Sequence, residues 1–178
     1  MGYRSVINII QIAYGVLFMN IFWIVLDGMR NIIDNNQVRI RSYQISSAKN
    51  GVGQERGSFC TPLGKHIIRA KIGENQPVNT VFIGRRPTGE IYSPNLGKKF
   101  QGRDWILTRI LWLSGCEPGF NRLGTVDTMR RYVYIHGSPD NTDIGKPGSI
   151  GCIRMLNTDL LELFDLTDVG TEVSIKLS

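Results

Sequence analysis

The sequence predicts a mostly-β domain with one short helix near its C-terminus. Three observations carry this. Short apolar runs rich in Ile, Val, Tyr and Trp recur along the chain, separated by turn residues. There are 20 glycines in 178 residues, a supply suited to many turns. One segment, "NTDLLELFDLT" at 157–167, spaces its Leu and Phe residues at helical intervals.

The elements follow in order. Residues 21–26, "IFWIVL", end at Asp27-Gly28 and read as a strand running into a turn. "MRNIID" and "QVRIRSYQIS" flank Asn35-Asn36. Asparagine tolerates the left-handed backbone of a tight turn, so the two read as a hairpin. The second strand sets Val38, Ile40, Tyr43 and Ile45 against Arg39, Arg41 and Gln44, one apolar face and one wet face. Residues 46–66 form a polar, glycine-containing loop, and "HIIRAKI" then resumes a strand. "TVFIGRR" and "GEIYS" read as a pair around Pro87-Thr88-Gly89. "GRDWILTRILWLSG", 102–115, suits strand or helix, and its Ile, Thr and Trp content with the Gly115 stop favours strand. "MRRYVYIHG" is a strong strand that delivers His136 at its end. The helix at 157–167 takes Asn157 or Thr158 as its N-cap, and "GTEVSIKL" closes the chain as a strand.

One domain is expected over 21–178, preceded by an apolar segment at 1–20. Arg4 stands before a stretch without charge from Ser5 to Leu26, long enough for a bilayer but interrupted by Asn8, Gln11 and Asn20. Three readings stay open: a membrane anchor or signal-like segment, a surface helix, or one element over Val6–Phe18 followed by the first strand. No convincing small-x-small cleavage site is present. The net charge of +6 favours anionic surroundings, such as a membrane face or an acidic wall polymer. No basic stripe interleaved with aromatics appears, which argues against nucleic acid.

The chemistry concentrates in "YIHGSPDNTDIGKPGSIGCIRM", 134–155. It holds one of two histidines and one of three cysteines, Cys60, Cys116 and Cys152. No CxxC or Cys/His cluster has metal-ligand spacing, so a zinc site is not expected. A thiol attacks as its thiolate and needs a proton acceptor, for which His is suited near neutral pH. His136 ends a strand at Gly137, a position at the rim of a sheet. Gly151 precedes Cys152, and nearby backbone N–H groups could serve a developing oxyanion. Arg154 could hold a substrate carboxylate through its planar fork. A lone His and Cys at this separation are more often structural, so spacing alone does not decide.

The residues "IHG…SxGCIRM", with the upstream "KNGVGQERGSFCTPLGKH", resemble the L,D-transpeptidase (YkuD-like) family. "IGRRPTGEIY" and "GRDWILTRILWL" are similar to a bacterial subgroup of it, and the likeness runs from about residue 21 to the C-terminus. The resemblance implies a β-sandwich-like mixed sheet with a short helix after the nucleophile. It implies Cys152 as nucleophile, His136 as general base and Gly137 as the backbone carbonyl that orients the imidazole. Gly151 and Cys152 would supply oxyanion donors, and Ser149 and Arg154 stand at polar positions of the motif. The implied reaction is acyl transfer on peptidoglycan stem peptides through a cysteine thioester. The acceptor would be an amine on a neighbouring stem, a lipoprotein lysine or water. No cofactor is implied, and the location would be the bacterial envelope, in the periplasm, with membrane association through residues 1–20 left open.

The motif departs at one place. The family usually reads S-H-G-C, whereas this chain reads Ser149-Ile150-Gly151-Cys152. A degenerate member that binds peptidoglycan without turnover, and an L,D-carboxypeptidase, therefore stand as alternatives. Elsewhere His66 and Cys60 are expected to be structural, with a Cys60–Cys116 disulfide as a minor option. Trp105, Trp112 and Tyr134 are expected in the core, with Tyr92 or Trp105 also considered as cleft walls. Arg85-Arg86 and Lys98-Lys99 read first as solvated charge and second as contacts to an anionic polymer.

Overall fold

The computed structural model describes residues 43–177, together with strands at Ile9–Ile10 (β1), Phe22–Asp27 (β2), Ile33–Asp34 (β3) and Gln37–Val38 (β4). The expectation of an anchor over residues 1–20 falls, apart from β1, outside the described residues. Among those described, no helix is long and apolar enough to cross a membrane.

The remaining strands are β5 (Ile45–Ser46), β6 (Gly64–Ile72), β7 (Thr80–Ile83), β8 (Arg86–Ile91), β9 (Ile106–Gly115), β10 (Tyr134–Gly137), β11 (Ile153–Met155) and β12 (Glu172–Leu177). Two helices, α1 (Pro94–Lys99) and α2 (Asn157–Leu166), join them. The main sheet runs β1-β2-β12-β6-β9-β10-β11-β5, and β7 pairs with both β8 and the start of β9. β10 and β11 are parallel and their other neighbours antiparallel, so the sheet is mixed, as expected. β3 and β4 pair across Asn35-Asn36, with Ile33 opposite Val38.

Pleating sorts the side chains, because successive residues of a strand point to opposite faces. On one face Leu111, Leu113, Ile135, Ile153 and Met155 meet Leu160, Leu163 and Phe164 of α2 in the larger core cluster. On the other face Ile110 and Tyr134 pack with Phe82, Trp112 and Cys152. His136 pairs in register with Ile110 on one side and Arg154 on the other. The alternation therefore places Tyr134, His136, Cys152 and Arg154 on the face away from α2. Each buried Leu or Phe of α2 contributes about 1.5–3 kcal/mol.

Three local expectations are corrected. The β7–β8 turn lies at Gly84-Arg85, not Pro87-Thr88-Gly89: Ile83 pairs with Arg86, and both turn residues have positive φ, +54° and +68°. That is the backbone of a two-residue turn matched to strand twist. The N-cap of α2 is Leu156, while Asn157 is the first helical residue and its side chain is committed elsewhere. α1 was not expected. Its signal is local, with Ser93 Oγ accepting from Leu96 N–H and Pro94 at the first helical position.

All three cysteines are free, so the Cys60–Cys116 option is not realised. Cys60 Sγ faces the Asn50 and Ser58 carbonyls at 3.4 Å, while the Cys116 amide continues the β9 edge by donating to Lys65 O. Tyr92 and Trp105 stack edge to face, 4.9 Å apart, under Arg103.

Candidate functional site

A β-bulge shapes the end of β10. Between His136 and Gly137 the register on β9 jumps from Ile110 to Leu107. Thr108, in the skipped segment, has φ +67°, strained for a β-branched residue. Its hydroxyl donates to Asn157 Oδ1 at 2.6 Å and accepts from Asn79 N–H at 3.0 Å. Asn157 Nδ2 in turn donates to Ser138 O at 2.9 Å and Asn79 Oδ1 at 3.0 Å. This buried network fixes the backbone just after His136. It also explains Gly137, where an added Cβ would stand 2.2 Å from Asn157 Oδ1 and 2.8 Å from Leu107 O.

His136 is fully buried. Its Nδ1 lies 2.8 Å from Gly137 O, an arrangement that puts the proton on Nδ1 and leaves Nε2 with its lone pair. Among the described residues Nε2 has no hydrogen-bond partner. Burial pulls the imidazole pKa down, opposed by the Asp104 charge and the Gly137 carbonyl and reinforced by Arg154.

Cys152 begins the return into β11, one strand over. Its Sγ accepts from Tyr134 N–H at 3.4 Å and lies 3.6 Å from Tyr132 O. Burial pushes the thiol up to about 12; Asp104 adds to the rise, while the Tyr134 N–H, Arg154 and Arg131 oppose it. Burial thus favours the neutral thiol and the neutral imidazole on this face of the sheet.

The loop before the thiol is held tightly. Gly151 has φ +130°, a backbone that L side chains rarely adopt. Its N–H donates to Ser149 Oγ at 3.2 Å, and Ser149 Oγ donates to Cys152 O at 2.5 Å. Ser149 thus ties the loop, and the Gly151 N–H expected at the oxyanion is engaged by it. Arg154, read as a carboxylate clamp, spends its fork inside the protein: Nη1 donates to Gly148 O at 3.0 Å and Nη2 pairs with Asp104 at 2.6 Å.

Cys152, Gly151 and Ile150 line a cleft of about 770 Å³ with Tyr134, Asp104 and several arginines. Tyr134, expected in the core, both packs there and forms the cleft floor. Ile150 is 57% exposed at the rim, alongside Phe59 at 56% and Tyr132 at 53%. Arg131 clamps the 53–60 loop over this side: its nitrogens reach Gly53 O, Gln54 O and Cys60 O at 2.6–2.9 Å. Among the described residues no group of three or more His, Cys, Asp or Glu could hold a metal ion.

His66, by contrast, bonds through both ring nitrogens, to Gly64 O and Thr128 Oγ1. Asp104, Arg131, Asn157 and Thr108 are parts of the site that the sequence reading passed over. Asp104 meets a residue 50 positions away, a pairing that no local pattern marks.

A family model described as the YkuD L,D-transpeptidase catalytic domain matches residues 20–175. A Bacillus licheniformis protein provisionally named L,D-transpeptidase YkuD is 48% identical over 46 residues, 26% of this chain and 28% of its own length. The Bacillus subtilis protein of the same provisional name is 32% identical over 94 residues, 53% of this chain and 47% of its own. The matches thus span less than half the length of either relative. Among solved structures, the LD transpeptidase LdtMt1 in complex with imipenem aligns over 93% of this chain and 57% of its own, with 18% identity and a TM-score of 0.43. An L,D-transpeptidase from Mycobacterium smegmatis aligns over the same shares, with 17% identity and a TM-score of 0.41. With the family model covering nearly the whole chain, the protein belongs to the L,D-transpeptidase catalytic-domain (YkuD) family.

Proposed function

We propose that the chain is a cysteine acyltransferase acting on peptidoglycan stem peptides, in cross-linking or remodelling of the cell wall. The observation that carries this is the His136 imidazole. It is fully buried, held by Gly137 O at Nδ1 and unpartnered at Nε2, on the same sheet face as a thiol in a cleft wall. Leaving a buried polar atom unpaired costs about 1–3 kcal/mol, a cost that a proton-accepting role would explain.

In the proposed cycle the Cys152 sulfur attacks the carbonyl between the L-centre of diaminopimelate and D-Ala while its proton passes to His136 Nε2. Burial disfavours the free thiolate, so the imidazole is needed as the proton acceptor during attack. The Cys152 N–H would stabilise the oxyanion. The C–N bond then breaks, D-Ala takes the proton from Nε2, and a thioester remains. An amine of a neighbouring stem attacks the thioester and gives its proton to Nε2, which returns it to the departing sulfur. Such a substrate would place the domain in the bacterial envelope, on the periplasmic side.

A second reading, a wall-binding member without turnover, is favoured by Ile150 in the S-H-G-C position and by the raised thiol pKa. Intact mass after incubation with a carbapenem, an acylating inhibitor class for this family, separates the two. A single adduct absent from Cys152→Ala supports the enzyme. A folded wild-type protein that stays unmodified supports the binder.

A further inference from the structure

The cleft holds a guanidinium whose placement neither the core nor the acyl-transfer steps account for. Arg85, in the β7–β8 turn, lies over the rings of Trp112 and Tyr132, with Cζ 4.6 and 4.7 Å from their centroids. Its Nη1 donates to the Tyr134 hydroxyl at 3.0 Å. Two aromatic faces and one hydrogen bond fix the plane of the fork, and most of its five N–H donors remain unused. Among the described residues Arg85 has no carboxylate partner.

Arg56 and Arg130 also line the cleft, but among the described residues no ring stacking or hydrogen bond fixes either side chain as it fixes Arg85. Asp104, the acid of the cleft wall, is neutralised by Arg154. Arg131 is spent on loop carbonyls. Arg85 is thus a rigid, unpaired cation facing the cavity that holds the thiol. Tyr134 links the two directly, since its hydroxyl anchors Arg85 and its N–H anchors Cys152 Sγ. The guanidinium and the attacking sulfur therefore line one cleft through a shared tyrosine.

We infer that Arg85 binds a carboxylate of the donor stem and so determines which peptide is presented to Cys152. This rests on the stem-peptide reading above. A planar fork held flat by stacking is matched to a carboxylate in a way that a flexible lysine is not. The carboxylate could be that of the D-Glu residue, the free centre of diaminopimelate, or the terminal D-Ala. The test distinguishes these.

The probes are the tetrapeptide L-Ala-γ-D-Glu-diaminopimelate-D-Ala and three derivatives, each with one of those carboxyls amidated. Their binding is measured calorimetrically to Cys152→Ala and to the same protein carrying Arg85→Met, Arg85→Lys or Tyr134→Phe. Thermal melting checks that each variant folds. Amidation of one carboxyl should weaken binding to Cys152→Ala on the order of 10- to 100-fold. Arg85→Met should weaken the free acid by the same factor and lose discrimination against that amide. Arg85→Lys should recover part of it, and Tyr134→Phe, which keeps the cation but frees its plane, should show a smaller loss in the same sense. Equal weakening of all four peptides by Arg85→Met, no weakening at all, or no binding of any stem would overturn the inference. Thioester formation by wild-type protein with the same tetrapeptide is read separately by mass. Its presence with carboxylate-independent binding would sink the Arg85 assignment and leave the transpeptidase reading intact. Its absence with carboxylate-dependent binding would do the reverse.

Discussion

The two histidines of this chain sit in closely similar surroundings and differ at one atom. Both are fully buried on strands of the same sheet. Each has Nδ1 near a glycine carbonyl, Gly64 O at 3.0 Å for His66 and Gly137 O at 2.8 Å for His136. Burial lowers both pKa values, that of His66 to about 4. At Nε2 they part: His66 meets Thr128 Oγ1 at 3.1 Å, and His136 meets nothing. Completing the second hydrogen bond makes the ring a brace between β6 and the loop before β10. Leaving it open keeps a basic nitrogen available at the cost of an unpaired buried group. Burial and pKa direction are alike at the two rings, whereas hydrogen-bond satisfaction differs.

Exchanging the damage between the two rings breaks the comparison most sharply. His136→Ala, like His66→Ala, leaves a cavity, but it should in addition lower Cys152 acylation per folded molecule on the order of 10²- to 10⁴-fold, the usual scale for a proton acceptor. His66→Ala should cost stability alone. It leaves a cavity and an unpaired Thr128 hydroxyl, so about 2–4 kcal/mol of stability should go, with acylation per folded molecule unchanged. Mass-resolved acylation rates and denaturant unfolding on the same samples check both. Loss of rate in the His66 variant at full folding would erase the distinction.

A pH titration sharpens the comparison on the stability side. His66 titrates near 6.5 when unfolded and about 4 when folded. Between those values the unfolded chain holds a proton that the folded chain does not. The stability is therefore full above pH 6.5 and falls as pH drops toward 4, by on the order of 3 kcal/mol. His66→Gln should make that fall shallower without abolishing it, because burial lowers His136 in the same direction. An unchanged profile would mean that His66 is not the group responsible.

The same contrast shows how much could be read from sequence. The strands around both histidines are legible because their apolar runs are continuous, and "MRRYVYIHG" announces a strand ending at His136. The turn at Gly84-Arg85 was misplaced because Pro87-Thr88-Gly89 carries the stronger turn composition. Strand pairing, not composition, decided it. Composition reads Asn157 as a helix cap, its common use, yet its amide serves the bulge beside Gly137. The motif residues around Cys152 were legible through a family resemblance. What they touch was not. Arg154 binds Asp104 across 50 residues, and Ser149 takes up the Gly151 N–H, both facts of the folded chain alone.

The smallest expected effect concerns a third imidazole, one that this chain lacks. Ile150 occupies the S-H-G-C position and is 57% exposed at the cleft rim, so Ile150→His should change stability by no more than about 0.5 kcal/mol. A histidine there, protonated below about pH 6.5, would favour the Cys152 thiolate. If it lowered the thiol pKa by about one unit, the thiolate fraction would rise about tenfold. The less basic sulfur would be about threefold less nucleophilic, leaving a net gain of about threefold. The gain should appear as faster iodoacetamide alkylation of Cys152 at pH 6 than in wild type, shrinking by pH 8 as the new imidazole loses its charge. An equal gain at both pH values would mean the substitution opened the cleft instead of charging it. No gain at either would mean that burial, which sets the thiol near 12, outweighs any charge placed at the rim.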